Sequence, residues 1–464
     1  THFGGSSSFC VDVTRCVQCG VAHHLVVRVH DRTRDPSHQP RGKQSGQYQS
    51  HGCHYTRTTG IWQTVWMEGV HLRALHSCHI VPNLDAAQLS FTPRFHAVAT
   101  GDTLRVTVSD NGKVVAEACA PAQDGATLCA TLSDPKPWSP ESPFLYDVLL
   151  EVCDNDGTVI DAVYSYAGLR KVHCEGNQFF LNNTPFYQRL VLDQGFYPDG
   201  IWTAPSDADL RRDIELSMAA GFNGARLHQK VFEERFHFWA DRLGYVTWGE
   251  SPSWGCDVNQ IEDIRNFLPE WAEIVQRDRN HPSIIAWTPF NETGWVWNAP
   301  QHRRAQIDTY RLTKALDPTR PVNDASGYVH AKTDLWTVHH YARPDTLRQA
   351  LEPDTPERVS RRAEHEVSYE GQPYILDEFG GLKWIPPERR DAAGNAWGYG
   401  QDIPDLETFY ATLAAELACI RAVPHLRGFC YTQLTDVEQE QNGIYAYDRT
   451  PKFDLARIRA IFRA

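Results

Sequence analysis

With 464 residues, 41% of them hydrophobic and 22% charged, the chain exceeds one ordinary domain and can bury a large core. No uninterrupted apolar run approaches the ~20 residues of a membrane helix, and 45 basic against 58 acidic side chains leave a formal charge of −13 that opposes binding to a phosphate backbone. Nucleic-acid and membrane-embedded roles are thereby disfavoured, the chain reads as a soluble globular protein, and the start THFGGSSSFC, with no basic segment ahead of an apolar run, points to the cytoplasm.

From residue 1 to 80 the pattern is of short β segments, SFCVDVT, LVVRVHD and GIWQTVWMEGV, separated by polar and Gly/Pro-rich turns such as DPSHQPRGKQSG. This part predicts an incomplete β-sandwich. Eight of the twelve cysteines (Cys10, Cys16, Cys19, Cys53, Cys78, Cys119, Cys129, Cys153) precede residue 160, and Cys16 and Cys19 form a Cys-x-x-Cys followed by His23 and His24. A zinc knuckle needs a second ligand pair at suitable spacing, whereas this segment runs straight into the alternating LVVRVHD, so reduced thiols in a β-domain are expected. Residues 81–171 repeat the β signature in RFHAVAT, DTLRVTVSD, KVVAEAC and FLYDVLLEVCD, divided by DNG and DNDG turns, and predict an immunoglobulin-like sandwich.

After Lys171 strand-like runs alternate with amphipathic helical ones, the pattern of a βα repeat. Candidate strands are PFYQRLVLD, FNGARLH, YVTWGE, IIAWTPFNE, PVNDASG, LWTVHHY, YILDEFGG and LRGFCYTQLTD, enough for one (β/α)8 TIM barrel over residues 172–464. SDADLRRDIELSMAAG predicts a helix opened by a capping box from Ser206 to Asp209 and stopped at Gly221. At their C-terminal ends the strands carry Asp193, Arg226 with His228, Glu250, Asn291 with Glu292, His339 with Tyr341, and Asp377 with Glu378, on the face where barrels place their active sites. Two glutamates, each straight after a buried run, supply the pair that glycosidic cleavage requires: an acid for the leaving oxygen and a carboxylate for the anomeric carbon. The acid needs a raised pKa, and the nucleophile must be kept ionised. Trp254, Trp295, Trp297 and Trp384 lie near these strand ends and could stack on sugar rings.

The stretches TRTTGIWQTVWMEGV, SPFLYDVLLEV, GLRKV, VLDQGFYPDG, GFNGARLHQK, FNETG, ILDEFGG and YTQLTDVEQEQNGIYAYDRTPK resemble glycoside hydrolase family 2, the group of β-galactosidases, β-glucuronidases and β-mannosidases. The resemblance implies a jelly-roll domain, an immunoglobulin-like domain and a catalytic barrel. It implies Glu292 as acid/base and Glu378 as nucleophile of a retaining double displacement, with Asn291 on the sugar 2-hydroxyl, Arg226 keeping Glu378 ionised and Tyr341 orienting it. His228, His339 and Asp193 would line the sugar subsite; Trp254 and Trp384, from their place near the strand ends, are expected as further substrate contacts. No cofactor is implied, and the partner is an oligosaccharide or glycoside; assembly as a homo-oligomer stays open.

The chain also departs from the pattern. The first domain lacks several jelly-roll strands, which would leave open edges unless another segment or subunit completes them. Thr432 stands where the eighth strand often brings a tryptophan. QNGIYAYD replaces the Asn-x-Lys with which glucuronidases hold a sugar carboxylate, and GESPSWG replaces the Glu-x-His magnesium pair of some β-galactosidases, so no metal is expected. The leading expectation is an exo-acting, β-galactosidase-like enzyme for a terminal neutral sugar. A β-galactofuranosidase or α-L-arabinofuranosidase is the rival, β-glucuronidase and β-mannosidase rank lower, and a carbohydrate-binding protein without catalysis is the non-enzyme alternative.

Overall fold

The computed structural model describes residues 1–32, 38–351, 364–392, 394–400 and 402–464. The first regular strand begins at Leu75, and the segments SFCVDVT, LVVRVHD and GIWQTVWMEGV do not form the strands that their alternation predicts. An alternating segment becomes a strand only where a neighbour takes up its backbone groups and covers one face. No such neighbour lies alongside these segments among the described residues, and Val26 and Val65 remain 87% and 66% exposed.

Parts of this N-terminal stretch instead lie on the barrel. The amides of Arg41 and Gly42 donate to the Trp254 carbonyl at 2.9 and 3.1 Å, and Ser45 and Tyr55 are joined by a 2.8 Å backbone hydrogen bond. Gly42 has φ +59°, and a Cβ there would stand 2.1 Å from the Gln229 carbonyl oxygen. Gly42→Ala is therefore expected to loosen the docked stretch: a left-handed non-glycine residue alone costs ~1–2 kcal/mol, so trypsin should cut after Arg41 and Lys43 about tenfold faster than in the wild type. Unchanged cleavage would refute the docking.

Two antiparallel sheets follow. One is built from Leu75–Asn83, Gln88–Phe95 and Leu128–Thr131, the other from Thr103–Asp110, Lys113–Pro121, Tyr146–Cys153 and Val159–Ala167. Their inward residues, among them Leu89, Phe91, Leu104, Val106, Val148 and Leu150, form one buried cluster, as alternation on two facing sheets demands.

The barrel strands are Gln188–Asp193, Gly224–Leu227, Val246–Glu250, Ile284–Thr288, Ala325–Ser326, Trp336–His340, Tyr374–Gly380 and Leu426–Thr432. Seven of them form one parallel sheet in the order fourth, third, second, first, eighth, seventh, sixth. The fifth position holds only two strand residues, paired in parallel with Phe290–Asn291 just beyond the fourth strand. Its predicted run PVNDASG is broken by Asp324, whose carboxylate accepts the amides of Ala325, Ala331 and Lys332 and so draws the backbone out of a ladder. Helix Asp207–Ala220 stops at Gly221 in the left-handed conformation (φ 108°), but the capping box is not made: Ser206 Oγ donates to Asp209 Oδ2 at 2.6 Å instead of accepting a backbone amide. No helix among the described residues is long and apolar enough to cross a membrane.

Candidate active site

Arg226, fully buried on the second barrel strand, is the centre of the polar cluster at the C-terminal strand ends. Its Nε donates to Glu250 Oε2 at 2.7 Å, Nη1 to Glu378 Oε1 at 2.9 Å and to the Asp377 carbonyl, and Nη2 to Asn291 Oδ1 and to His228 Nδ1. One guanidinium thus ties together the ends of the second, third and seventh strands and the Asn291 bridge beyond the fourth. Burial and the Arg226 charge hold the His228 pKa well below its ordinary value, so this imidazole is neutral and accepts.

Glu378 follows Asp377 at an irregularity of the seventh strand, where register shifts occur against both neighbours. Such a shift re-aims side chains that regular alternation would point elsewhere. Besides Arg226, Glu378 receives a hydrogen bond from the Tyr341 hydroxyl, which also contacts Thr432 Oγ1 at 3.0 Å and stacks on Tyr399 with ring centroids 3.5 Å apart. Burial works to raise the Glu378 pKa, but His339 and Arg226 outweigh it and leave the carboxyl below its ordinary value.

Glu292 sits just past Asn291 with φ +53°, a left-handed conformation uncommon for a non-glycine residue and typical of functional sites. Its amide is anchored on the Ser326 carbonyl at 2.8 Å, and its side chain is 21% exposed against 5% for Glu378. His339 Nδ1 lies 2.8 Å from Glu292 Oε1 and 3.3 Å from Glu378 Oε2, while its Nε2 meets Ser326 Oγ, which donates to Asp377 Oδ2 at 2.6 Å. An acid with a raised pKa was expected at Glu292. Burial does push it up, but the His339 contact wins, and the carboxyl lies well below its ordinary value. One donor atom each from Glu292, His339 and Glu378 lies within 4.8 Å of the others, making this the group among the described residues whose geometry could hold a metal ion.

The remaining predicted residues divide. Trp254 is in the cluster: its Nε1 donates to the Asn291 carbonyl at 3.2 Å. Asp193 is buried beside a different set of charges, Asp213, Arg449 and Lys230, and burial followed by Asp213 raises its pKa to about 7. Trp384, 5% exposed, belongs to the large buried cluster of the barrel and has the Arg390 guanidinium 5.3 Å from its ring centroid, which leaves little of its ring for stacking on a sugar. Trp295 and Trp297 stand out in solvent. Two residues not foreseen join the site. Lys43, 5% exposed, holds its ammonium 4.2 Å from the Trp254 ring centroid, and Glu440, 1% exposed, accepts from the Tyr55 hydroxyl at 2.6 Å and from Asn442 Nδ2 at 3.1 Å. Lys43 lies inside a Gly/Pro-rich run that reads as a turn, and only the three-dimensional docking of that run reveals it.

A (β/α)8-type barrel that follows a β-sandwich and gathers two glutamates, an arginine and a tyrosine at its strand ends defines a multidomain barrel protein with a carboxylate cluster at the barrel mouth. The model described as "Glycosyl hydrolases family 2, TIM barrel domain" matches residues 172–385, that of "Glycosyl hydrolases family 2" matches 74–170, and the chain belongs to this family. Among curated relatives, a β-galactosidase of Psychromonas ingrahamii is 31% identical over 271 residues, covering 56% of this chain and 25% of that protein. One from Vibrio cholerae serotype O1 is 27% identical over 347 residues, covering 69% and 33%. The match thus spans between a quarter and a third of the length of these relatives. The β-glucuronidase of Ruminococcus gnavus superposes with TM-score 0.69 at 17% identity, over 84% of this chain and 68% of that one. A β-galacturonidase from Eisenbergiella tayi superposes with TM-score 0.64 at 20% identity, over 85% and 73%. At these identities the likeness is one of fold.

Proposed function

We propose that the protein is a retaining exo-glycosidase that cleaves a terminal neutral sugar, most simply a β-galactoside, by double displacement. Within this reading 75–171 is an accessory β-domain, the stretch before it is a segment docked in part on the barrel, 172–464 is the catalytic barrel, and the cysteines belong to a reducing, cytoplasmic setting. The observation that carries it is the approach of Glu292 and Glu378 to within 4.8 Å of each other through one oxygen apiece. An approach this close supports direct attack by the second carboxylate over the wider spacing with which an inverting enzyme seats a water between the two groups.

Glu378, held ionised by Arg226 and His339 and aligned by Tyr341, attacks the anomeric carbon. Glu292, more open to solvent, protonates the leaving oxygen and then activates water. The proton it delivers resides on the 2.8 Å contact with His339 Nδ1. Burial disfavours an imidazolium there, but Glu378, Asp377 and Glu292 outweigh it and raise the His339 pKa above its ordinary value. The group must be protonated for acid catalysis, so activity is retained below that raised pKa while Glu378 stays ionised, and is lost as pH rises through it. In His339→Asn the basic limb of the kcat/KM profile is expected to move to lower pH; an unmoved limb would remove His339 from the acid.

The reading is tested with a panel of nitrophenyl glycosides, wild type against Glu292→Ala and Glu378→Ala, each with azide. For a β-glycoside, azide should rescue Glu378→Ala to an α-glycosyl azide and Glu292→Ala to the β-anomer. Preference for an α-L-arabinofuranoside or β-galactofuranoside would move the assignment to the furanosidase reading. A folded wild type that binds sugar and turns over none of the panel would leave a binding protein.

A further inference from the structure

The double displacement gives Lys43 no task, yet this side chain is nine-tenths buried at the barrel mouth. Its ammonium lies over Trp254, whose indole nitrogen bonds the Asn291 carbonyl next to Glu292. Among the described residues no carboxylate stands within 4.0 Å of Lys43 Nζ and no side chain accepts a hydrogen bond from it, although Glu440, Glu378 and Glu292 all act on its charge. A buried lysine with three unassigned donors is unusual, because desolvation of an ammonium is offset only by acceptors. Arg226, by contrast, has its donors committed to Glu250, Glu378, Asn291, His228 and the Asp377 carbonyl.

We propose that Lys43 and Glu440 form a donor and acceptor pair that holds hydroxyls of a neutral sugar in the pocket of Glu292 and Glu378, and that this pair discriminates against uronides. A sugar hydroxyl can accept from an ammonium while donating to a carboxylate, so one neutral ring satisfies both groups. Glu440 keeps acceptor capacity for this: each of its oxygens takes one hydrogen bond within the protein and has a second lone pair. A uronate would bring a further negative charge to a site where the charges of Glu292, Glu378 and Glu440 already act on the Lys43 ammonium. The pair is assembled from both sides of the mouth: the docked stretch Arg41–Lys43 delivers the ammonium, and Tyr55, joined to that stretch by the Tyr55 amide on the Lys43 carbonyl at 2.7 Å, fixes Glu440. The docked stretch thereby contributes to the sugar subsite of the barrel.

This assignment rests on the glycosidase reading, and binding separates the two. Wild type, Lys43→Met and Glu440→Gln are titrated with 1-deoxygalactonojirimycin and with its uronic counterpart, following tryptophan fluorescence, beside turnover of the nitrophenyl panel and a thermal melt. Methionine keeps an apolar stem over Trp254 and removes the ammonium with its charge and donors. The wild type is expected to bind the neutral probe more tightly, and Lys43→Met to weaken that binding by about 10- to 100-fold, the range for a hydrogen bond to a charged group, with the melt preserved. Glu440→Gln should weaken the neutral probe and strengthen the uronic one. Tighter wild-type binding of the uronic probe, lost in Lys43→Met, would overturn the proposal in favour of a carboxylate-reading lysine. Binding of both probes unchanged in Lys43→Met would leave only a counter-ion to Glu440, while turnover by that variant would keep the glycosidase reading intact. Lysine-dependent binding without turnover in the wild type would sink the glycosidase reading and retain the subsite.

Discussion

Replacing Glu378 by glutamine is expected to lower kcat on the preferred glycoside by roughly 10,000-fold or more, the scale on which removal of a covalent nucleophile acts. That factor corresponds to about 5.5 kcal/mol of barrier. The carboxylate is placed for attack by donors on both oxygens: Arg226 Nη1 at 2.9 Å on Oε1 and the Tyr341 hydroxyl on Oε2. Glutamine has the same shape but can accept on one side only, and its amide hydrogens must then face either the guanidinium or the phenol. The fold has other supports, since Arg226 keeps Glu250 and Asn291, so the variant should melt within a few degrees of the wild type. A variant that is folded and retains a tenth of the activity would show that Glu378 is not the nucleophile. In that case the His339 and Glu292 pair would need a different partner carboxylate, and Asp377, one residue away and bonded to Ser326, would be examined next.

Much of this site is legible in the chain because strands are local. IIAWTPFNE and YILDEFGG each combine a buried run with a terminal glutamate, and a parallel barrel places all C-terminal strand ends on one face, so Glu292, Glu378, Arg226, His339 and Tyr341 converge as their positions imply. Directions are less legible than positions. Trp384 is four residues past Gly380, close to the strand end in sequence, yet its ring is buried in the barrel's hydrophobic cluster. Asp193 ends its strand as Glu250 does, but Lys230 and Arg449 draw the surrounding charge to a separate cluster. The fifth strand shrinks to Ala325–Ser326 because Asp324 competes for amides, a side-chain effect that apolar patterning does not register. Lys43 and Glu440 lie almost 400 residues apart, and what brings them together is the absence of a side chain at Gly42 against Gln229, which no periodicity reports. The jelly-roll segments fail for the opposite reason: their alternation is local, but a strand is a property of two chains lying together.

Arg226→Met is expected to be the most destabilising single change in the barrel, and the size follows from what it abandons. Glu250 is 2% exposed and Glu378 4%, and the guanidinium is the cation within hydrogen-bond distance of both. Removing one partner of a buried ion pair costs about 3–5 kcal/mol, because the charge left behind has lost both water and counter-ion. For a unit of this size each kcal/mol lowers the melting temperature by about 2–4 °C, so a drop of roughly 6–20 °C is expected. Burial already raises the Glu250 pKa despite Arg226, and without the arginine it must rise further. A carboxyl whose folded pKa lies above its unfolded value binds more protons when folded, so the variant's stability must fall as pH increases beyond the unfolded value. Arg226→Met should therefore be closest to the wild type near pH 5 and furthest from it near pH 8. Adding Glu250→Gln removes the stranded charge and should recover part of the loss, a coupling between adjacent sites that independent contributions would not give. Lysine at this position should behave more like methionine than like arginine, since a single ammonium cannot reach Glu250, Glu378 and Asn291 together. If Arg226→Met melts with the wild type at every pH, the acids it contacts are uncharged in the folded protein, and the ionised Glu378 on which the double displacement depends would lose its physical basis.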